Sequence, residues 1–450
     1  MVGEPWRHWH PARTQKRPAR NVAKLSEAVG VCLARSGTDP LPYLARAISA
    51  EGQNSTSVFA RGLIRTRAAP AELWQSACAT FAAADSAHRN PGVLASVVAG
   101  AARHDRALVE AWLDEAVTDP LLGEHLVVLH LAIPLDAVAM TRFRRSLVHG
   151  AAPSWRFSLL QIGGVTKPIP GEALADFLAE LYEAEDGVLP ALQILHMRIF
   201  GDRSDKREVD PALIALGRRF LADPRSFAEK NASADHGIAT IAKVALAGEG
   251  ATDTARAICR ALRDEPSSNG YHIHEFDKVC GLLMKSFPRI VLDEIVGQDA
   301  RRGLMARFFG GHVRNDNDTS EAKIGFDEAV ALQWVSEAPE TRAPLLAELV
   351  PYTRKGVESD VLEWSSFALA LIEAAADPLP VLRNFERRFF TGSGSGPFSA
   401  RFVRRRPLVA AMRPHSDARV RNWARAAGQT LEESIVRWDE RDRDRESRFE

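Results

Sequence analysis

The chain has 450 residues, too many for one hydrophobic core of ordinary size, so several domains or a repetitive stack is expected. Hydrophobic residues make up 46% of it, ample for burial and inconsistent with global disorder. Lys plus Arg equals Asp plus Glu at 58 each, which excludes an overall electrostatic pull toward nucleic acid or an anionic membrane and leaves only local segregation of charge.

Residues 1–21 begin MVGEPWRHWHPARTQKRPAR. The stretch is basic and aromatic, and it lacks the apolar core of a secretory signal. It reads as a flexible N-terminal arm. From Val22 onward nearly every segment carries a helical period. Val22, Leu25, Val29 and Cys32 share one face, as do Leu73, Ala77 and Phe81. Leu108, Val109, Trp112, Leu113 and Ala116 form a third stripe, and Leu174, Phe177, Leu178 and Leu181 a fourth. Each stripe predicts a helix with one buried side. Strand-like alternation is nowhere sustained, and the chain accommodates roughly twenty helices of ordinary length. The most apolar run, LVVLHLAIPLDAVAM from Leu126, is interrupted by His130, Pro134 and Asp136 and is too short to span a bilayer. A cytoplasmic protein is expected. Cys32, Cys78, Cys259 and Cys280 lie far apart in helical contexts, which predicts small buried thiols in a reducing compartment.

Asp-Pro recurs at Asp39-Pro40, Asp119-Pro120, Asp210-Pro211, Asp223-Pro224 and Asp377-Pro378. Asp accepts from the free N–H groups of a first helical turn, and Pro suits the first helical position because its missing N–H would be unpaired there. Each pair therefore reads as a helix start close behind a helix end. DPLPYL (Asp39 to Leu44) and DPLPVL (Asp377 to Leu382) share five of six positions and both follow an apolar helix. A recurring helix–turn–helix unit is the simplest reading. Short connections make successive helices antiparallel neighbours, and many such pairs in series form an α-solenoid. The expected fold is therefore all-α. Helical repeats are expected over 22–165, 166–310 and 326–450, with breaks at GGVTKPIPG, EPSSNG, GGHVRNDNDTSEAKIG and TGSGSGP.

Chemistry is harder to find. No Gly-rich loop ending in Gly-Lys-Ser/Thr is present, and GSGSG from Gly392 lacks the lysine that would meet a phosphate. YHIHEFD gathers His272, His274, Glu275 and Asp277, which are metal-capable donors. The two rings share a side only on a strand, whereas a polar helix start is expected here. Asp316, Asp318 and Ser320 alternate as in a calcium loop, but Glu321 stands where the sharp turn needs Gly. RFRR (Arg142 to Arg145) and RFVRRR (Arg401 to Arg406) would line a phosphate-binding groove if they converged, and read otherwise as solvated helix faces. No Ser or Cys sits in a recognisable nucleophile motif. No catalytic, cofactor-binding or metal-binding residue is assigned, and no cofactor is expected.

The last stretch, DARVRNWARAA, resembles the second helix of a HEAT repeat at Asp417, Val420, Arg421 and Ala424. Asp417 is expected to cap that helix and Arg421 to reach an acidic group of a neighbouring repeat. Val420, Trp423, Ala427, Leu431, Ile435 and Trp438 continue one apolar face. Beyond Trp438, DERDRDRESRFE offers i,i+4 charge pairs and almost nothing to bury, so it reads as a charged capping helix whose last turns project into solvent.

Residues 326–450 also resemble the C-terminal helical-repeat regions of bacterial STAND-type defence and signalling ATPases. The spacing of Trp334, Pro339 and Arg342, the Gly/Ser loop and the HEAT-like helix carry the likeness. It implies a region that recognises a partner while separate N-terminal domains supply ATPase and effector activity. Those domains are absent from this sequence, so a truncated, split or stand-alone version is expected. The chain thus reads as a non-catalytic helical-repeat protein binding a protein partner, the sensor or scaffold of a bacterial anti-phage defence or signalling system. One alternative is a HEAT-like nucleic-acid-binding protein of the DNA-repair or glycosylase kind, which zero net charge disfavours. Another is a metal-dependent enzyme built on HIHE.

Overall fold

A computed structural model describes residues 16–49, 54–64, 70–228, 232–264, 276–298, 308, 327–355, 361–390 and 397–446. Its described residues form 22 α-helices and one short hairpin, so the chain is all-α. It divides into two compact units, Met1–Leu216 and Gly217–Glu450. No helix among the described residues is long and apolar enough to cross a membrane.

Unit 1 contains α1 (Lys16–Arg35), α2 (Leu41–Ile48), α3 (Asn54–Ile64), α4 (Pro70–Ala83), α5 (Pro91–Ala101), α6 (Arg106–Ala116), α7 (Leu126–His130), α8 (Ala137–His149), α9 (Gly171–Glu183) and α10 (Val188–Ser204). The α11 helix (Pro211–Leu221) crosses the boundary between units. Packing follows a short-range rule: α1 lies on α3, α3 on α5 and α5 on α7, while α8 packs on α9 and α9 on α10. Trp74 and Trp112 stack between α4 and α6 with ring centroids 4.8 Å apart. Phe143, Phe157 and Phe177 form an aromatic core farther along.

The Asp-Pro reading holds at the level of hydrogen bonds. Asp39, Asp210 and Asp377 accept from the N–H groups of Leu41, Ala212 and Leu379 and open α-helices. Asp119 and Asp223 do the same for Leu121 and Arg225, but there the capped turn leads into a tighter coil, a 3-10 turn at Gly123–His125 before α7 in one case and one at Pro224–Phe227 in the other. The expected break at GGVTKPIPG is a run of turns with Gly163 and Gly164 at positive φ. The buried Arg198 fastens it by donating to the carbonyls of Thr166 (2.7 Å) and Ile169 (2.9 Å).

The stripes on α4, α6 and α9 are buried as expected, with Leu108 only half-buried. The α1 stripe is not. Val22, Leu25 and Val29 are 49%, 66% and 52% exposed, and Cys32 is exposed too. The reason is a competing face of small residues. A Cβ added to Gly30 would lie 2.3 Å from the Phe59 carbonyl, and one on Gly62 would lie 2.2 Å from the Glu27 carbonyl. The backbones of α1 and α3 therefore touch along the glycine side, and the bulky side faces outward. Arg61 closes the pair with an ion pair to Glu27 at 2.6 Å. Leu25→Ser should accordingly change stability by under about 0.5 kcal/mol, whereas Gly62→Val should cost about 1–3 kcal/mol by overpacking. Chemical denaturation of the two variants compares them directly, and the reverse ranking would put the bulky stripe inside. Of the other thiols, Cys259 and Cys280 are buried and Cys78 half-buried. Burial pushes the Cys78 and Cys259 thiols up to about 12, so both stay protonated.

Unit 2 continues with α12 (Ala232–Ala245), α13 (Ala251–Asp264), α14 (Asp277–Ser286) and α15 (Pro288–Val291), which runs into a π-helical turn at Leu292–Val296. Three arginines of α13 meet one carboxylate of that turn. Arg260 holds Glu294 through two bonds of 2.9 Å, with Arg256 at 3.3 Å and Arg263 at 3.6 Å. Next come α16 (Glu328–Ser336), α17 (Pro339–Leu349), strands β1 (Thr353–Lys355) and β2 (Leu362–Trp364), α18 (Ser366–Ala374), α19 (Pro378–Arg387), α20 (Phe398–Val403), α21 (Arg406–Ala411) and α22 (Ala418–Glu446). The antiparallel hairpin, with Thr353 opposite Trp364, was not legible in the sequence. It delivers Trp364 into a cluster with Tyr352, Phe385, Phe389 and Trp423. The Trp364 indole N–H donates to the Leu408 carbonyl at 2.7 Å.

Along α22, Val420, Trp423, Ala427, Leu431 and Ile435 are buried as one face. Two details differ from expectation. Arg421 donates to the nearby carbonyls of His415 and Ser416 instead of crossing to an acidic neighbour, because its guanidinium lies back over the turn before the helix. Arg419 makes the outward link, to Asp377 at 3.5 Å. The charged end also docks farther than its composition implies. Trp438 stacks on Phe398 at 4.8 Å, and Asp442 accepts from the Ser399 N–H at 2.9 Å, which caps α20.

Candidate partner-binding cleft

The α8 helix starts where Asp136 accepts from the Ala139 N–H (2.9 Å) and stops at Gly150, whose φ of 65° ends the turn. Between these points the helix carries an inward and an outward stripe. Ala139, Met140, Phe143 and Ser146 point inward. Val138, Thr141, Arg145 and Val148 point outward at i, i+3, i+7 and i+10. Val148 is 83% exposed and Val138 51%. A cleft of about 320 Å³ opens beside this outer stripe, lined by Thr141, Arg144, Arg145, Val148, His149 and, from α9, Glu180.

The RFRR cluster divides its labour here. Arg142 is buried and holds α8 to α6, donating to both Asp114 oxygens (3.0 and 2.8 Å) and pairing with Glu110. Burial opposes its charge, but these hydrogen bonds outweigh burial and raise its pKa. The same contact lowers that of Asp114. Arg144 and Arg145 are surface groups. Arg144 reaches Glu180 with Nε at 2.8 Å, and Arg145 reaches Asp114 at 3.1 Å. The Glu180 bond raises the Arg144 pKa.

RFVRRR is likewise engaged. Arg401 lies over the Phe398 ring at 4.4 Å, Arg405 is buried beside Phe402, and Arg406 is bidentate to Glu432 at 2.7 and 2.5 Å. Arg404 also has an interaction partner. These arginines serve packing within unit 2.

The residues that carried the family likeness form a staple. Trp334 is fully buried, and its indole N–H donates to Asp293 at 2.8 Å. Arg342 lies 4.5 Å over its ring and donates to its backbone carbonyl, while Pro339 begins the second helix of the pair. Glu337 receives both Arg289 and Arg342, first of all Arg289, which lowers its carboxyl to about 2.

His272, His274 and Glu275 lie outside the described residues, as do Asp316, Asp318, Ser320, Glu321 and residues 391–396. Asp277 begins α14 behind Phe276, a non-glycine residue at positive φ. Among the described residues no group of three or more His, Cys, Asp or Glu is placed to hold a metal ion. Val138, Val148, His149 and Glu180 went unmarked in the sequence. An outward stripe of two valines, a threonine and an arginine has the same helical period as an inward one, and the acidic partner lies on the next helix.

No family model matches the chain, and no curated protein or solved structure does either.

Proposed function

We propose that this chain is a non-catalytic α-solenoid of HEAT-like helix pairs that binds a protein partner, the sensor or scaffold part of a bacterial defence or signalling system of the STAND kind. The order in which helices pack carries the reading. In unit 2, α16 packs on α17 and α18, α17 on α18 and α19, and α18 on α19. Packing on the next helix and the one after is how a repeat stack buries each stripe. In unit 1, α1, α3, α5 and α7 pack in series, and α2 packs on α3 and α4. Such stacks leave long outer faces for recognition, and the α8 cleft lies on one.

The nucleic-acid alternative calls for arginines available to phosphates. Arg142, Arg144, Arg145 and Arg406 instead face Glu110, Asp114, Glu180 and Glu432. Fluorescence anisotropy with duplex and single-stranded DNA at about 150 mM salt should show only weak binding. Affinity capture with the purified chain should yield a protein that resists nuclease treatment. Tight, salt-sensitive DNA binding lost on Arg404→Ala with Arg406→Ala would overturn the reading.

A further inference from the structure

We propose that the outer face of α1 rests on an anionic lipid surface, with the helix lying along the headgroup layer. The inference is independent of the protein-partner reading above. A helix with nothing packed on its outer face needs that face polar to remain in water. The α22 helix meets this requirement, with Arg425, Gln429, Glu433 and Arg437 exposed at i, i+4, i+8 and i+12. The α1 helix does not. Its glycine side is taken by α3, and Val22, Leu25, Val29 and Cys32 stand outward. At 3.6 residues per turn these four fall within an arc of about 80° and run for about 15 Å. That is the apolar ridge of an interfacial helix.

The charge on α1 selects the occupant. Its sequence holds Lys16, Arg17, Arg20, Lys24 and Arg35 against one acid, Glu27, in a chain whose charges balance overall. Glu27 lies about 180° from the centre of the stripe, beside α3, where Arg61 pairs with it. Lys24 and Arg35 are exposed and have no ion-pair partner among the described residues. They lie about 100–120° round from the stripe's centre, where their stems can follow apolar surface while the charges reach lipid phosphates. In sequence, the stretch before α1 adds Arg7, Arg13, Trp6 and Trp9, and tryptophan favours the headgroup layer. Each such cation strengthens attraction to an anionic leaflet, and salt screens it. A second copy fits worse, because two such faces would bring Lys24 and Arg35 together with no outward carboxylate on α1 to pair them. A nucleic acid fits worse too, since it would leave the apolar stripe in water.

The test is co-sedimentation of the full chain with vesicles of phosphatidylcholine alone and of phosphatidylcholine with about 30% phosphatidylserine. At about 150 mM salt, partition onto the phosphatidylserine vesicles should exceed that onto the neutral ones about tenfold or more, and it should collapse at about 500 mM. Leu25→Ser with Val29→Ser should lower it about tenfold, and so should Lys24→Glu with Arg35→Glu, with circular dichroism unchanged. Val148→Ser with Val436→Ser, at exposed positions on α8 and α22, should leave it unchanged. An environment-sensitive fluorophore on the exposed Cys32, in a chain carrying Cys78→Ala, gives a local readout. Its emission should move to the blue on phosphatidylserine vesicles and not on neutral ones. Equal partition onto both vesicle types, partition onto neither, or an unmoved Cys32 label would overturn the proposal. So would a dimer seen by sedimentation velocity and lost with Leu25→Ser, or duplex DNA that displaces the chain from vesicles and itself shifts the Cys32 label.

Discussion

Trp423→Ala is expected to destabilise unit 2 by about 3–5 kcal/mol, the usual cost of truncating a large buried aromatic. Trp423 is 6% exposed, lies edge-on to Trp364 and Phe389, and donates its indole N–H to Glu386 at 2.8 Å. The change removes three kinds of contact at once and leaves the Glu386 carboxylate without this donor. Chemical denaturation followed by tryptophan fluorescence should show one transition moved to lower denaturant and another, belonging to unit 1, unmoved. Removing residues 443–450 makes the contrast, because among the described residues that cut takes the exposed Arg443–Asp439 pair, and such i,i+4 pairs contribute a few tenths of a kcal/mol each. Removing 439–450 should cost more, since it also takes Asp442 from the Ser399 N–H and loses a helix cap, about 1 kcal/mol. Equal effects from the two deletions would show that the Asp442 cap contributes nothing.

The second large effect depends on pH. His130 is fully buried, neither ring nitrogen has a hydrogen-bond partner, and its ring stands edge-on to Phe143 at 4.9 Å. Burial, reinforced chiefly by Arg142, pushes its pKa down to about 3. The charged groups that act on it are Arg142, Asp136, Arg106 and Asp114, and the acidic pair does not offset burial. In the unfolded chain the ring titrates near 6.5, so the unfolded state takes up the proton first. The stability that neutral His130 contributes is present above pH 6.5 and is lost progressively as pH falls toward 3, on the order of 2 kcal/mol by pH 5. His125, buried and edge-on to Phe81, shifts in the same direction through burial and adds to the slope. Melting temperatures of the wild-type chain should drop between pH 7 and pH 5, and His130→Leu should flatten that drop. Parallel profiles for the two proteins would mean that His130 is already protonated, or hydrated, in the folded chain.

The buried face of a helix was legible in the sequence wherever one stripe outweighed its rivals, as on α4, α6, α9 and α22. It misled on α1, where two apolar faces coexist. Val22, Leu25 and Val29 are larger, but Gly30 opposite Gly62 permits a closer backbone approach, and proximity decided which face was covered. The Asp-Pro pairs were informative because a cap is local chemistry, complete within three residues. The hairpin was not, since three residues per strand are too few to alternate. The cleft lay between these cases. RFRR was visible, but the division between a buried Arg142 and the surface pair Arg144 and Arg145 depends on Asp114, 28 residues earlier, and on Glu180, 36 residues later.

Hydrogen exchange across the whole chain, comparing wild type with Trp423→Ala, tests the nearest-neighbour stack most directly. Faster exchange should be confined to α18 through α22, with α1 through α10 unchanged, because each helix depends mainly on the next two. Acceleration spread evenly from α1 to α22 would show one cooperative body and contradict the stack on which the partner-binding proposal rests.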